Sequence, residues 1–354
     1  MEKNILLEKG KKSIEKFFLL KPLIKMKLMK MNIINNNDNR ISMINKINNN
    51  IKKRKIRNAG IDLVRILSMY AIIIHHILYF GNLFIKYNKY KELVLMNISC
   101  FWHVSSYALI SGYIGYKSNK YSNLLYLWIC TLFYSLSIKY FFDKKNIKMN
   151  IGKTQITDFF PVTYEKHWYF TKYFGMYLFL PVVNKGIESM TRAELRIVVI
   201  SLILICILLK DILNPKKDIY YMKGGCSILW LLIYYLTGVY FGKFKKDVNG
   251  IKKIILSIIY AFIFYFSTYV CYFFSNFTLD NSKGYFTMKA IKILKQLFVL
   301  RINSVPMILQ SISLTLLLTQ INYNKYLSKI TTFFGPLTFG VYLIHTDRII
   351  LKNI

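Results

Sequence analysis

GIDLVRILSMYAIIIHHILYFG, residues 60–81, decides how this chain is read. In helical form it is about as long as a bilayer is thick, which takes roughly 20 residues. Yet it carries Asp62, Arg65, His75 and His76, and ionisable groups are expensive in hydrocarbon. A helix advances about 100° and 1.5 Å per residue, so the eleven steps from Arg65 to His76 make three turns plus roughly 20°. The two side chains therefore share one face, about 16 Å apart along the axis. His75 is rotated off that face by roughly 80°, so the spacing selects His76 as the companion of Arg65. Asp62, one turn earlier, is placed to orient Arg65 through an i,i+3 contact. A group titrating near neutrality suits proton transfer, and a permanently charged guanidinium suits a phosphate or carboxylate. The structural alternative is that the histidines are satisfied between helices and Arg65 snorkels to the interface.

The rest of the chain has the composition of a membrane protein. Of its 354 residues 54% are hydrophobic and 16% aromatic, and the apolar residues fall in bilayer-length blocks. The net charge of +34 would on its own suggest a nucleic-acid or anionic-lipid binder. Most of the lysine lies between apolar blocks, where membrane proteins place topogenic charge, so no nucleic-acid partner is expected. Cys100, Cys130, Cys206, Cys226 and Cys271 are widely spaced in or beside apolar segments, with no CxxC pair. Neither a disulfide framework nor a metal site follows from them.

Residues 1–58 read as a basic, Asn/Lys-rich cytoplasmic tail, disordered apart from a weak membrane-surface helix in SIEKFFLLKPLIKMKLMKM. Residues 59–354 read as one multi-span domain. About nine spans are expected, roughly 61–81, 94–115, 121–142, 168–185, 195–213, 227–243, 252–275, 302–320 and 331–351. The fold class is an all-α polytopic bundle. IKKRKIR before the first span and GKFKKDVNGIKK between the sixth and seventh fall on one side, which the positive-inside rule makes cytoplasmic. The protein is thus expected in the cell membrane, multi-pass, with its N-terminus inside.

In this order along the chain the motifs resemble the acyltransferase-3 family of integral-membrane acyltransferases. The arginine and the histidine eleven residues later in GIDLVRILSMYAIIIHHILYFG match that family's mark. ALISGYIGYKSNKYSNLLYLWICTLFYS, with Ser111-Gly112-Tyr113, resembles its second and third spans. DFFPVTYEKHWYFTKYFGMYLFLPVVNK resembles its loop and fourth span, with Trp168, Tyr173, Tyr177, Pro181 and Asn184. LLIYYLTGVYFGKF resembles the sixth, and FFGPLTFGVYLIHTD the span ending in Tyr-Leu-Ile-His. The resemblance covers about residues 58 to 351 and gives His76 the catalytic role, with Arg65 near the acyl donor. Family members commonly continue into a further span, making ten helices. This chain ends nine residues after His345, which implies that the last helix is missing.

The resemblance implies transfer of an acyl group, acetyl first, from acyl-CoA (acetyl-CoA) as donor substrate to a hydroxyl of a cell-surface or lipid-linked saccharide. No bound cofactor and no metal are implied; the partners are acyl-CoA, a saccharide or glycolipid acceptor and the bilayer. Arg65 would hold a phosphate or carbonyl oxygen of the donor. His76 would act as general base or carry the acyl group covalently, and the sequence leaves both open. His345, Trp168 and His167 are the candidate acceptor contacts. Trp168 also reads as an interfacial anchor, His103 as structural, and Ser111-Gly112 as a close-packing pair. Arg301 reads as an anion contact or a topogenic charge. The alternatives are a glycan or proton-coupled transporter or flippase, with Arg65 and His76 in a proton pathway, and an inactive truncated relative.

Overall fold

The structure, a computed structural model, describes residues 57–81, 83, 90–116, 121–144, 156–209, 212, 217–245, 248–276, 285–298 and 300–351. The chain divides at Arg57/Asn58, and the tail expected over 1–58 lies almost wholly outside the described residues. From Asn58 on the protein is an all-α bundle with no strand among the described residues.

The helices are α1 Ala59–Phe80, α2 Lys91–Cys100, α3 His103–Gly115, α4 Tyr121–Lys144, α5 Trp168–Ser189 and α6 Arg192–Ile203. They continue as α7 Ile228–Lys243, α8 Ile251–Asn276, α9 Tyr285–Phe298, α10 Val305–Gln320, α11 Lys325–Phe334 and α12 Thr338–His345. Their starts are written in the sequence. Asn58 caps α1, its side chain accepting from Gly60 N at 2.9 Å. Thr191 and Glu194 close a capping box on α6. Ser227 and Asn324 cap α7 and α11 by accepting from Trp230 N and Leu327 N.

Among the described residues five stretches are long and apolar enough to cross a bilayer: Ala59–Phe80, Lys91–Gly115, Tyr121–Phe142, Ile251–Asn276 and Lys325–His345. α7 and α10 are apolar but shorter. α8 turns Ile254, Ile258, Phe262, Tyr265 and Tyr269 outward, a lipid-facing stripe at helical spacing. The second expected span is broken at Phe101-Trp102 into α2 and α3.

The last span differs most from its expected place of 331–351. It begins earlier, because Asn324 caps it. It bends through a 3-10 turn at Gly335–Leu337, where Pro336 removes a backbone donor. It ends at His345, and Arg348–Leu351 forms a separate turn. α9 was not among the expected spans; with Lys289, Lys292 and Lys295 among its apolar residues it has an amphipathic, not a spanning, pattern.

Contacts fix the helix directions. At one end Asn58 Nδ2 donates to Thr319 O (3.1 Å), Lys253 Nζ to Asn322 Oδ1 (2.8 Å), and Lys243 Nζ to Ile187 O (2.6 Å). At the other end His76 meets His345 and His167 meets Thr346. The spans therefore run alternately up and down. α1 is central, touching α2, α3, α10, α11 and α12. α3 and α7 approach so closely that a Cβ on Gly112, Gly238 or Gly242 would strike the facing backbone. The close packing expected of Ser111-Gly112 is thus observed, with a Gly-xxx-Gly pair, Gly238 and Gly242, as its counterpart.

Candidate functional site

One face of α1 carries the site. Arg65 Nη1 donates to Asp62 Oδ1 at 2.8 Å, the i,i+3 pair its spacing foretold. Asp62 is buried under the bend of the last span, where the Gly335 backbone rests against its carboxylate. A side chain at Gly335 would displace Asp62 and with it Arg65. Tyr107 OH donates to the Arg65 carbonyl at 2.9 Å, pinning α3 to α1 at the same level. Outward from Arg65, Met69 and Ile72 pack with Tyr342 and Leu343 of α12. At the far end stands His76. The positions 65, 69, 72 and 76 thus form the common face inferred from helix geometry.

His76 meets His345 there. The rings stack with centroids 4.9 Å apart and 15° between planes, and His76 Nδ1 lies 2.9 Å from His345 Nε2. At that distance one nitrogen carries a proton and the other accepts it, so the pair holds a shared proton. His75 points elsewhere, its Nδ1 2.8 Å from Asn97 Oδ1 on α2. An amide oxygen only accepts, so Nδ1 of His75 is the protonated nitrogen. Phe101 stands edge-on to the His75 ring at 4.7 Å and His103 lies 5.4 Å away. His103 itself is buried and bonded to the Cys100 carbonyl at 2.8 Å, a structural role. A cleft of about 470 Å³ opens beside this cluster, with His75, His76 and Asn97 in it.

The start of α5 is clasped to the end of α12. Thr346 Oγ1 donates to Tyr342 O at 2.7 Å, so it must accept from His167 Nδ1, 2.8 Å away. Next to this bond, Lys166 pairs with the fully buried Asp347 at 3.0 Å. Lys166 also reaches Asp158 at 3.4 Å, and Lys139 pairs with Asp158 at 2.7 Å. His167 is therefore buried, one residue from the segment that follows His345. Trp168 is half-buried against Tyr169, with ring centroids 5.6 Å apart. Arg301 donates to the Gln296 carbonyl.

Arg65 and His76 are thus aligned along α1, His76 and His345 are in direct contact, and His167 with Trp168 lies behind His345. Sequence reasoning missed Asn97 and Tyr107. Asn97 had a signal, an amide inside the apolar run ELVLMNISC; Tyr107 had none, being one of 28 tyrosines. No group of three or more His, Cys, Asp or Glu suited to a metal occurs among the described residues.

Residues 58–352 match the family model described as an acyltransferase domain, of the acyltransferase-3 type. The chain belongs to the acyltransferase-3 family. It is a membrane acyltransferase. No curated protein and no solved structure matches it. In an acyltransferase-3 chain the proton-sharing His76–His345 pair is suited to taking up a hydroxyl proton as a bond forms to an acyl carbon. Arg65 is suited to holding an anion, because its charge is permanent and Asp62 binds only part of its fork.

Proposed function

We propose that this acyltransferase moves an acetyl or similar acyl group from acyl-CoA to a hydroxyl of a cell-surface or lipid-linked saccharide. The observation that carries the reading is the His76–His345 contact at 2.9 Å on the face that also bears Arg65. His76 takes the proton of the acceptor hydroxyl while its oxygen attacks the thioester carbonyl. The carbon–sulfur bond then breaks, and the CoA sulfur leaves with the proton held by His76. The proton lands on Nε2 of His76, and His345 steadies the imidazolium formed in between by accepting from Nδ1. The covalent alternative, an acyl-His76 intermediate, uses the same pair, with His345 as the base for the second step.

Arg65 stands roughly 16 Å inward of His76 by helix rise, too far to touch the reacting carbonyl. A phosphate of the extended donor is the better partner, so Arg65 binds donor and His76 reacts. Trp168 stands at the His76 end of the bundle, at the start of α5. The Arg65 end is the cytoplasmic one in this reading. It exposes Lys252, Lys325 and Lys329, and IKKRKIR precedes α1 in the sequence; the His76 end exposes Lys91, Lys217 and Lys223, while its Lys139 and Lys166 are paired with aspartates.

The test uses the full chain in sealed vesicles, with labelled acetyl-CoA supplied only on the Arg65 side and a glycolipid acceptor in the membrane. Label on the acceptor that depends on the protein supports the reading. Solute movement without any acyl donor, and no label, would instead support the transport alternative.

A further inference from the structure

The cleft beside His76 opens on the α2 side, away from His345, His167 and Trp168. Its polar groups are few: His75, His76, Asn97 and the Tyr79 hydroxyl. Its walls are Val94, Phe101 and Leu300, and its mouth is marked by Tyr79 and Phe80, both exposed. Its volume, about 470 Å³, is that of a small-ligand site. Asn97 is almost wholly buried, and its oxygen is engaged by His75 Nδ1. The Nδ2 amide is left to donate, and with His75 oriented by that bond the two present fixed polar partners next to His76.

A chain of hydroxyl-rich sugars does not suit such walls. Each hydroxyl buried against Val94, Phe101 or Leu300 without a partner gives up its hydrogen bonds to water and regains none. An amphiphile suits them: one sugar ring with a hydroxyl or two at the polar floor, and an apolar anchor along the walls towards the lipid. The geometry points to this cleft as the acceptor subsite, taking a lipid-anchored saccharide sideways from the membrane, with Asn97 and His75 as specificity-determining residues for its ring hydroxyls. This places the acceptor on the α2 side of His76 and leaves His167 to position His345 through Thr346. The inference rests on the acyl-transfer reading for the word acceptor, and on the cleft alone for the ligand.

The experiment uses the full chain in lipid nanodiscs and an alkyl glycoside bearing a diazirine in its chain. Irradiation of the wild type should label peptides containing Val94–Phe101 and Leu300. Unlabelled alkyl glycoside should compete, and the same sugar without its chain should not. Leu300→Trp, which fills the cleft, should reduce labelling by about tenfold, the loss of roughly 1.4 kcal/mol of binding. In acyl transfer, Asn97→Ala should raise KM for the alkyl glycoside by about tenfold and leave KM for acetyl-CoA unchanged, as expected for one lost hydrogen bond to the acceptor. Labelling around Trp168 instead, equal competition by the free sugar, or labelling by a diazirine phospholipid that glycoside does not displace would overturn the proposal. Full transfer by a well-folded Leu300→Trp would do the same. Cleft labelling in a wild type that transfers no acyl group from any donor would leave the subsite standing and remove the acyl-transfer reading.

Discussion

At the scale of single residues, the proposed reaction gives His76 and Arg65 separable jobs. In it His76 moves the proton, so His76→Ala should lower kcat by about 10²–10⁴-fold with KM for the donor little changed. His345→Gln keeps a hydrogen-bonding partner for Nδ1 and should retain more activity than His345→Ala; steady-state kinetics on the purified variants checks the order. Arg65→Lys keeps the charge but loses the planar fork, and should raise KM for acyl-CoA more than it lowers kcat. A uniform fall in kcat with unchanged KM would place Arg65 elsewhere. That Arg65 and His76 share one face of α1, with His75 turned off it, was legible from helix geometry alone. The partners were not. His345 lies 269 residues away, and His75–Asn97 links two helices whose register no local pattern states.

At the scale of elements, bilayer-length apolar runs marked most helices in the sequence, and the structure adds the caps, such as Asn58 and Thr191, that set their starts. It misplaced the last span, because FFGPLTFGVYLIHTD reads as one apolar run while Asn324 and Pro336 set its real start and bend. Two packing devices hold the site. Gly238→Leu would drive a side chain into the α3 backbone at Leu109 and should destabilise the bundle by about 1–3 kcal/mol or more, seen as a lower melting temperature in detergent. The Lys166–Asp347 pair is buried, and Lys166 also holds Asp158 and Ser135. Asp347→Asn removes one of the anions that Lys166 binds and should cost about 1.5–3 kcal/mol, whereas the double change Lys166→Met with Asp347→Leu should recover much of it. If the single change is neutral, the clasp between α5 and α12 is not what holds His345 in place.

For the molecule as a whole, alternating helix directions put Lys243 and Lys253 at the end of the bundle opposite His76. In the proposed orientation that end is the cytoplasmic one. Lys253→Cys should be closed to a membrane-impermeant maleimide in intact cells, and Tyr164→Cys, exposed at the His76 end, should react. The reverse pattern would invert the orientation and put the donor on the wrong side of Arg65. The spans were visible as apolar blocks, but α9 was not among them, since its lysines break the pattern that a spanning helix requires.

The most direct measurement compares wild type and His76→Ala, at equal level in the membrane, for transfer of labelled acetyl from acetyl-CoA to a lipid-linked saccharide. The account predicts label with the wild type and its loss with His76→Ala. Equal label from both proteins would contradict it, removing His76 from the chemistry and turning attention to His75.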